Sequence, residues 1–138
     1  MEFISAEEFL KQPVEVREVF IEWWKPSVGD LYCNLYNGQQ DNILVVNNVQ
    51  LELFKTFSND IKRYGVILFT EGQLRKLIED KTGYHLEISA EIGTGRYVAD
   101  FYKNNKSNRC GRKMIKTLET DLLQAYWEIA CEIAKESI

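Results

Sequence analysis

Two short polar patterns mark where this chain must turn into helix. Ser5-Ala6-Glu7-Glu8 and Thr70-Glu71-Gly72-Gln73 each place a hydroxyl three residues ahead of a Glu or Gln. This is the capping-box spacing, in which the hydroxyl accepts an early helical N–H and the longer side chain reaches back to the cap. Each pattern is bracketed by an apolar pair, Ile4 with Phe9 and Phe69 with Leu74, at the spacing of a hydrophobic staple. Pro13 suits the first turn of a second helix, on which Val16, Val19, Phe20 and Trp23 repeat at helical spacing until Lys25-Pro26 ends it. After Thr70, Leu74, Leu77 and Ile78 form one apolar face, and Gly83 stands where a left-handed cap belongs.

Between and after these helices the pattern becomes β-prone. Leu31 to Tyr36 and Ile43 to Val46, separated by a polar segment with Asn37-Gly38, predict a hairpin. Val66 to Phe69 reads as a short buried strand, and Tyr84 to Ala90 and Arg96 to Tyr102 flank the turn Glu91-Ile92-Gly93-Thr94-Gly95 of a second hairpin. Residues 47–64 support two readings: Val49, Leu51 and Leu53 alternate like a strand, whereas Leu53, Phe54, Phe57 and Ile61 suit a helix. From about Met114 to Glu136, Ile115, Leu118, Leu122, Ala125, Tyr126, Ile129 and Ile133 form a helical stripe. The expected fold is α+β, a compact antiparallel β-sheet covered by the N-terminal helices and a long C-terminal helix.

With 45% hydrophobic and 12% aromatic residues, 138 residues suffice for one core, so a single domain over 1–138 is expected. No apolar run reaches membrane-helix length, and the start Met1-Glu2-Phe3-Ile4 has neither the basic residues nor the apolar stretch of a secretory signal. Cys33, Cys110 and Cys131 are odd in number, far apart and never in a C-x-x-C pair, which predicts reduced thiols and a cytoplasmic location. One histidine, His85, and no close cysteine pair leave nothing from which one copy could assemble a conventional zinc site, and no cofactor is expected.

Charge is unevenly distributed. Lys103, Lys106, Arg109, Arg112, Lys113 and Lys116 fall within residues 103–116 with no acid among them. Setting these six aside leaves eleven basic against twenty-one acidic residues, a formal charge of −10 for the rest of the chain. Arg109, Arg112 and Lys113 are therefore candidate phosphate ligands for a nucleotide or nucleic acid, with Tyr97 and Tyr102 as stacking surfaces; an ordinary solvated loop has the same composition. Glu15, Glu18 and Glu22 give the second helix an acidic face, which either is simply solvated or steers a basic partner. Trp23 and Trp24 cannot both point directly into one core from adjacent helical positions. Trp23 continues the apolar stripe, so Trp24 is the expected exposed anchor for a partner.

No catalytic constellation emerges. His85 beside Glu87 lacks a nucleophile, and Gly93-Thr94-Gly95-Arg96 lacks the lysine and the following helix of a phosphate-binding loop. Cys110 lies next to cations but has no histidine near it in sequence.

Several blocks resemble small proteins encoded by phages and prophages of Gram-positive bacteria. They are Ser5-Ala6-Glu7-Glu8-Phe9-Leu10, Val19 to Pro26, Gly29 to Tyr32, Thr70 to Gly83 and Asp121 to Trp127. The resemblance implies a host-cell accessory protein that binds and blocks a defence machine, such as a CRISPR effector, without catalysis. The alternatives it leaves open are a sponge that sequesters a nucleotide signal through the basic segment with the neighbouring tyrosines and, third, a minor enzyme or structural factor of phage replication.

Overall fold

A computed structural model describes residues 2–34, 43–56, 65–103 and 112–138. The chain divides into two compact units, Phe3–Phe69 and Thr70–Ile138, the second also including the first two residues. Both are α+β with antiparallel strands, as expected, and the pairing is shared between two three-stranded sheets.

In the first unit, α1 (Ala6–Leu10) begins where the capping pattern places it, with Ser5 Oγ accepting from Glu8 N at 3.2 Å. Pro13 sits immediately before α2 (Val14–Trp23), which buries Val16 and Phe20. The core is built around Phe69, whose ring lies 5.3 Å from that of Phe20, 6.1 Å from Phe9 and 6.4 Å from Trp23, centroid to centroid. Such packing adds directional aromatic contacts to the burial of large apolar side chains. The sheet has the order β2-β1-β3, with β1 (Leu31–Asn34) between β2 (Ile43–Val45) and β3 (Gly65–Ile67). Tyr32 faces Leu44 on one side and Ile67 on the other.

The ambiguous segment is helical where it is described: α3 spans Asn48–Thr56. Asn47 Oδ1 accepts from Gln50 N at 2.9 Å and Gln50 Oε1 accepts from Asn47 N at 3.0 Å, a reciprocal cap that the sequence reading did not single out. Phe54 anchors the helix, packing edge-on against Trp24 and Tyr32. The alternation of Val49, Leu51 and Leu53 is thus not a strand signal, and Phe57 and Ile61 lie outside the described residues.

In the second unit, Thr70 and Gln73 form both halves of the capping box of α4 (Glu71–Thr82), which ends at Gly83 with φ 73°. β4 (His85–Ala90) and β5 (Tyr97–Tyr102) form the second hairpin, and the short β6 (Ile115–Lys116) completes a sheet of order β4-β5-β6. The last helix, α5 (Leu122–Glu136), packs on α4 and β5 and buries Ala125, Tyr126, Ile129 and Ile133. It starts later than the stripe from Met114 predicts. Ile115 pairs with Ala99, Leu118 is exposed, and Asp121 accepts from Gln124 N at 3.0 Å to start the helix. Two apolar residues at helical spacing were thus a strand residue and a surface residue. Among the described residues no helix is long and apolar enough to cross a membrane.

Cys33 is a free, buried thiol and Cys131 is also buried, while Cys110 lies outside the described residues. Burial pushes the Cys33 thiol above its ordinary pKa, which lowers the thiolate fraction available for reaction. In native protein Cys33 should resist a soluble disulfide reagent and become reactive only on unfolding; rapid native labelling of Cys33 would contradict this packing. Asn47→Ala should cost about 1 kcal/mol of stability through the lost cap, whereas Phe20→Ala should cost about 3–5 kcal/mol. Urea unfolding midpoints would check both.

Candidate interaction surfaces

The acidic face of α2 forms as expected. Glu15, Glu18 and Glu22 are all exposed, three and four residues apart, while Val16 and Phe20 point into the core. Successive turns thus present carboxylates on one side of the helix.

Trp24 does not join that surface. It is only 3% exposed, and Trp23 is the half-buried member of the pair. The backbone leaves the helix at Trp24, with ψ 123°, so helical spacing no longer sets where its side chain goes. The indole packs against Phe54 with centroids 5.4 Å apart, and Nε1 donates to Asp30 Oδ2 at 2.9 Å. The same carboxylate oxygen accepts from Ser27 N at 2.9 Å, tying down the loop that leads into β1. Trp24 is a core residue with a satisfied polar edge, not an exposed anchor.

Among the described residues, the exposed large apolar side chains of this unit are Val14 and Val28, which stand singly, and four on β2 and α3. Ile43 and Val45 on β2, and Val49 and Leu53 on α3, are between 45 and 70% exposed. Ile43 and Val45 share one face of β2 because strand side chains alternate, and Val49 and Leu53 are helical neighbours at i, i+4. Among the described residues β2 is also an edge strand. The sequence held this signal in the same alternation that left the segment ambiguous. Without knowing that Phe54 faces inward, neither side of α3 could be assigned to the surface.

Of the predicted phosphate ligands, two fall among the described residues, and only one of those is engaged. Arg109 lies outside the described residues, and Lys113 is exposed. Arg112 is engaged: Nη2 donates to Glu136 Oε2 at 2.6 Å and the guanidinium lies 4.9 Å from the Phe101 ring centroid. Its side chain is only 22% exposed, so it fastens the segment before β6 to α5 and β5 instead of standing ready for an anion. Lys116 approaches Glu91 at 3.6 Å. Tyr97 is half-buried and its backbone is committed, its N–H to Glu119 and its C=O to Thr117.

His85 is oriented by Glu79, not Glu87, with Nδ1 3.2 Å from Glu79 Oε2. The other Glu79 oxygen accepts from Arg75 Nε at 2.8 Å, and Arg75 also donates to Leu86 O at 2.6 Å and Tyr126 Oη at 3.4 Å. Burial works against the Arg75 charge, but the Glu79 hydrogen bond and the nearby negative charge outweigh it and raise its pKa. Burial likewise raises the Tyr126 pKa, opposed by Arg75. Among the described residues no three His, Cys, Asp or Glu side chains are grouped to hold a metal ion.

No family model, curated protein or solved structure matches this chain.

Arg112→Ser should lower stability by about 1 kcal/mol, because it removes a partly buried charge-assisted hydrogen bond and a cation–π contact. Lys113→Ser should leave stability within about 0.5 kcal/mol of wild type, as exposed substitutions usually do. Equal melting behaviour in the two variants would remove the structural role given to Arg112.

Proposed function

We propose that this chain is a binding protein that acts by protein–protein contact through the exposed apolar side chains of β2 and α3. The supporting observation is the concentration of Ile43, Val45, Val49 and Leu53 in one edge strand and the helix that follows it. Single exposed apolar residues are ordinary on protein surfaces, whereas a contiguous patch marks an interaction site; the strand pair Ile43 and Val45 and the helical pair Val49 and Leu53 are the two parts from which such a patch would be built. The acidic side of α2 adds Glu15, Glu18 and Glu22, which favour encounter with a basic partner without entering the apolar contact.

The sequence blocks that resemble phage-encoded accessory proteins give this binding a biological setting. The partner is a host defence protein, CRISPR effectors among the class, and the chain inhibits it by occupying its surface in the host cytoplasm. Binding alone is enough for this role, so no catalytic group is required. The engagement of Arg112 by Glu136 and Phe101 gives the nucleotide-sponge alternative less support than its sequence suggests.

Phage plaquing on bacteria carrying a defined defence system tests the proposal. Expression of the wild-type chain should restore plaquing against at least one such system, and Val49→Asp with Leu53→Asp should abolish the rescue while preserving the melting transition. Glu15, Glu18 and Glu22 replaced by Gln should slow association more than they speed dissociation, and the difference should shrink as salt rises. Rescue that survives the double Asp variant would remove the apolar contact face. A nucleotide that co-purifies with the protein and is lost with Lys113→Ser would replace protein contact by ligand capture.

A further inference from the structure

The open side of β4 is stopped by one side chain. In an antiparallel ladder the N–H and C=O of alternate residues point to opposite sides of the strand. Tyr97 N donates to Glu119 O and Thr117 N donates to Tyr97 O, so the backbone groups of Tyr97 point towards β6. Those of Val98, Asp100 and Tyr102 therefore point towards β4, where their partners are Ser89, Glu87 and His85. Glu91 N donating to Arg96 O at 2.8 Å continues the same phase into the turn. Leu86, Ile88 and Ala90 consequently direct their backbone groups to the outer edge of the sheet.

Among the described residues no strand pairs with this outer edge of β4, whose outward groups at Leu86, Ile88 and Ala90 invite another strand, and native proteins block such edges with charge, proline, bulges or covering groups. β4 contains no proline, and its inward-facing residues become progressively more open, from buried Leu86 through half-buried Ile88 to exposed Ala90. The covering group is Arg75. Its Nη2 reaches the outward carbonyl of Leu86 at 2.6 Å, while Glu79 and Tyr126 hold the rest of the guanidinium.

We propose that Arg75 guards the β4 edge, and that the strand it keeps away is β4 of a second copy of this chain. The edge is self-complementary in one antiparallel register. With Ile88 opposite Ile88, Leu86 meets Ala90 on the apolar face, while Glu87 meets Ser89 and His85 meets Glu91 on the polar face. No like charges are opposed in this register, and an apolar ladder crosses the junction. Shifting by one residue pairs opposite faces, and centring on Glu87 sets two carboxylates against each other. The guarded register would bring Ala90 of one copy to the Leu86 carbonyl of the other, the position that the guanidinium occupies. This device is independent of the partner proposed for β2 and α3.

Sedimentation equilibrium of the full chain tests the guard. Arg75→Met keeps the aliphatic stem and removes the donor; its average mass should rise towards twice the monomer mass with concentration, over a range in which wild type stays monomeric. Adding Ile88→Pro, which deletes an outward N–H at the centre of the proposed register, should return the variant to monomer mass. If circular dichroism shows Arg75→Met unfolded, Glu79→Ala replaces it, since loss of the anchoring carboxylate should give weaker association of the same kind. A folded guard variant that stays monomeric, association that persists with Ile88→Pro, or a wild-type chain already dimeric in this range would each overturn the proposal.

Discussion

Backbone polar groups with no partner of their own are the constraint on which this structure turns. A helix leaves its first N–H groups unsatisfied and a sheet leaves one row of groups bare along each edge. Ser5, Asn47, Thr70 and Asp121 each accept an N–H from the residue three positions later, which fixes the starts of α1, α3, α4 and α5. Because those starts fix which residues face inward, they also decide that Phe9, Phe54, Leu74 and Ile129 are core. Arg75 extends the same principle to a sheet edge, where a guanidinium takes a carbonyl that no strand takes.

Polar side chains in this protein do structural work at positions that composition alone would assign to the surface. Asp30 holds both the Trp24 indole and the Ser27 amide, so one carboxylate closes the passage from α2 to β1. Arg112 belongs to the most basic stretch of the chain, yet its charge is turned to Glu136 and its flat face to Phe101. Such groups contribute through the contacts they make, although the buried Arg112 Nε has no hydrogen-bond partner among the described residues, and they leave less free charge than a count of cations implies. The exposed residues of β2 and α3 are the converse: apolar side chains that the fold leaves in water. Protein contact would remove that exposure, which is why a binding role suits this arrangement better than anion capture.

The parts of the fold that could be read in advance were those set within a few residues. The Ser5 cap, the capping box at Thr70, the cap at Gly83, the acidic face of α2 and the two hairpins follow from neighbours in sequence. The cap of Asn47 with Gln50 was equally local, but the period-two pattern of Val49, Leu51 and Leu53 competed with it. The candidate binding surface was hidden for that reason, since its exposure depends on α3 being a helix pinned by Phe54.

By itself, then, the sequence determined where most helices begin and which strands are β-prone, because capping and periodicity act through contacts of three or four residues. Tertiary structure alone decided that Trp24 is buried, that Leu118 is exposed, that Arg112 is engaged and that Leu86 carries a guarded carbonyl. Each of these depends on a group distant in sequence or on a backbone direction set outside a helix. Phe54 meets Trp24 from thirty positions further along the chain, and Arg112 meets Glu136 near the end of the last helix. Local pattern cannot encode such meetings, since they are chosen by how elements pack within each unit.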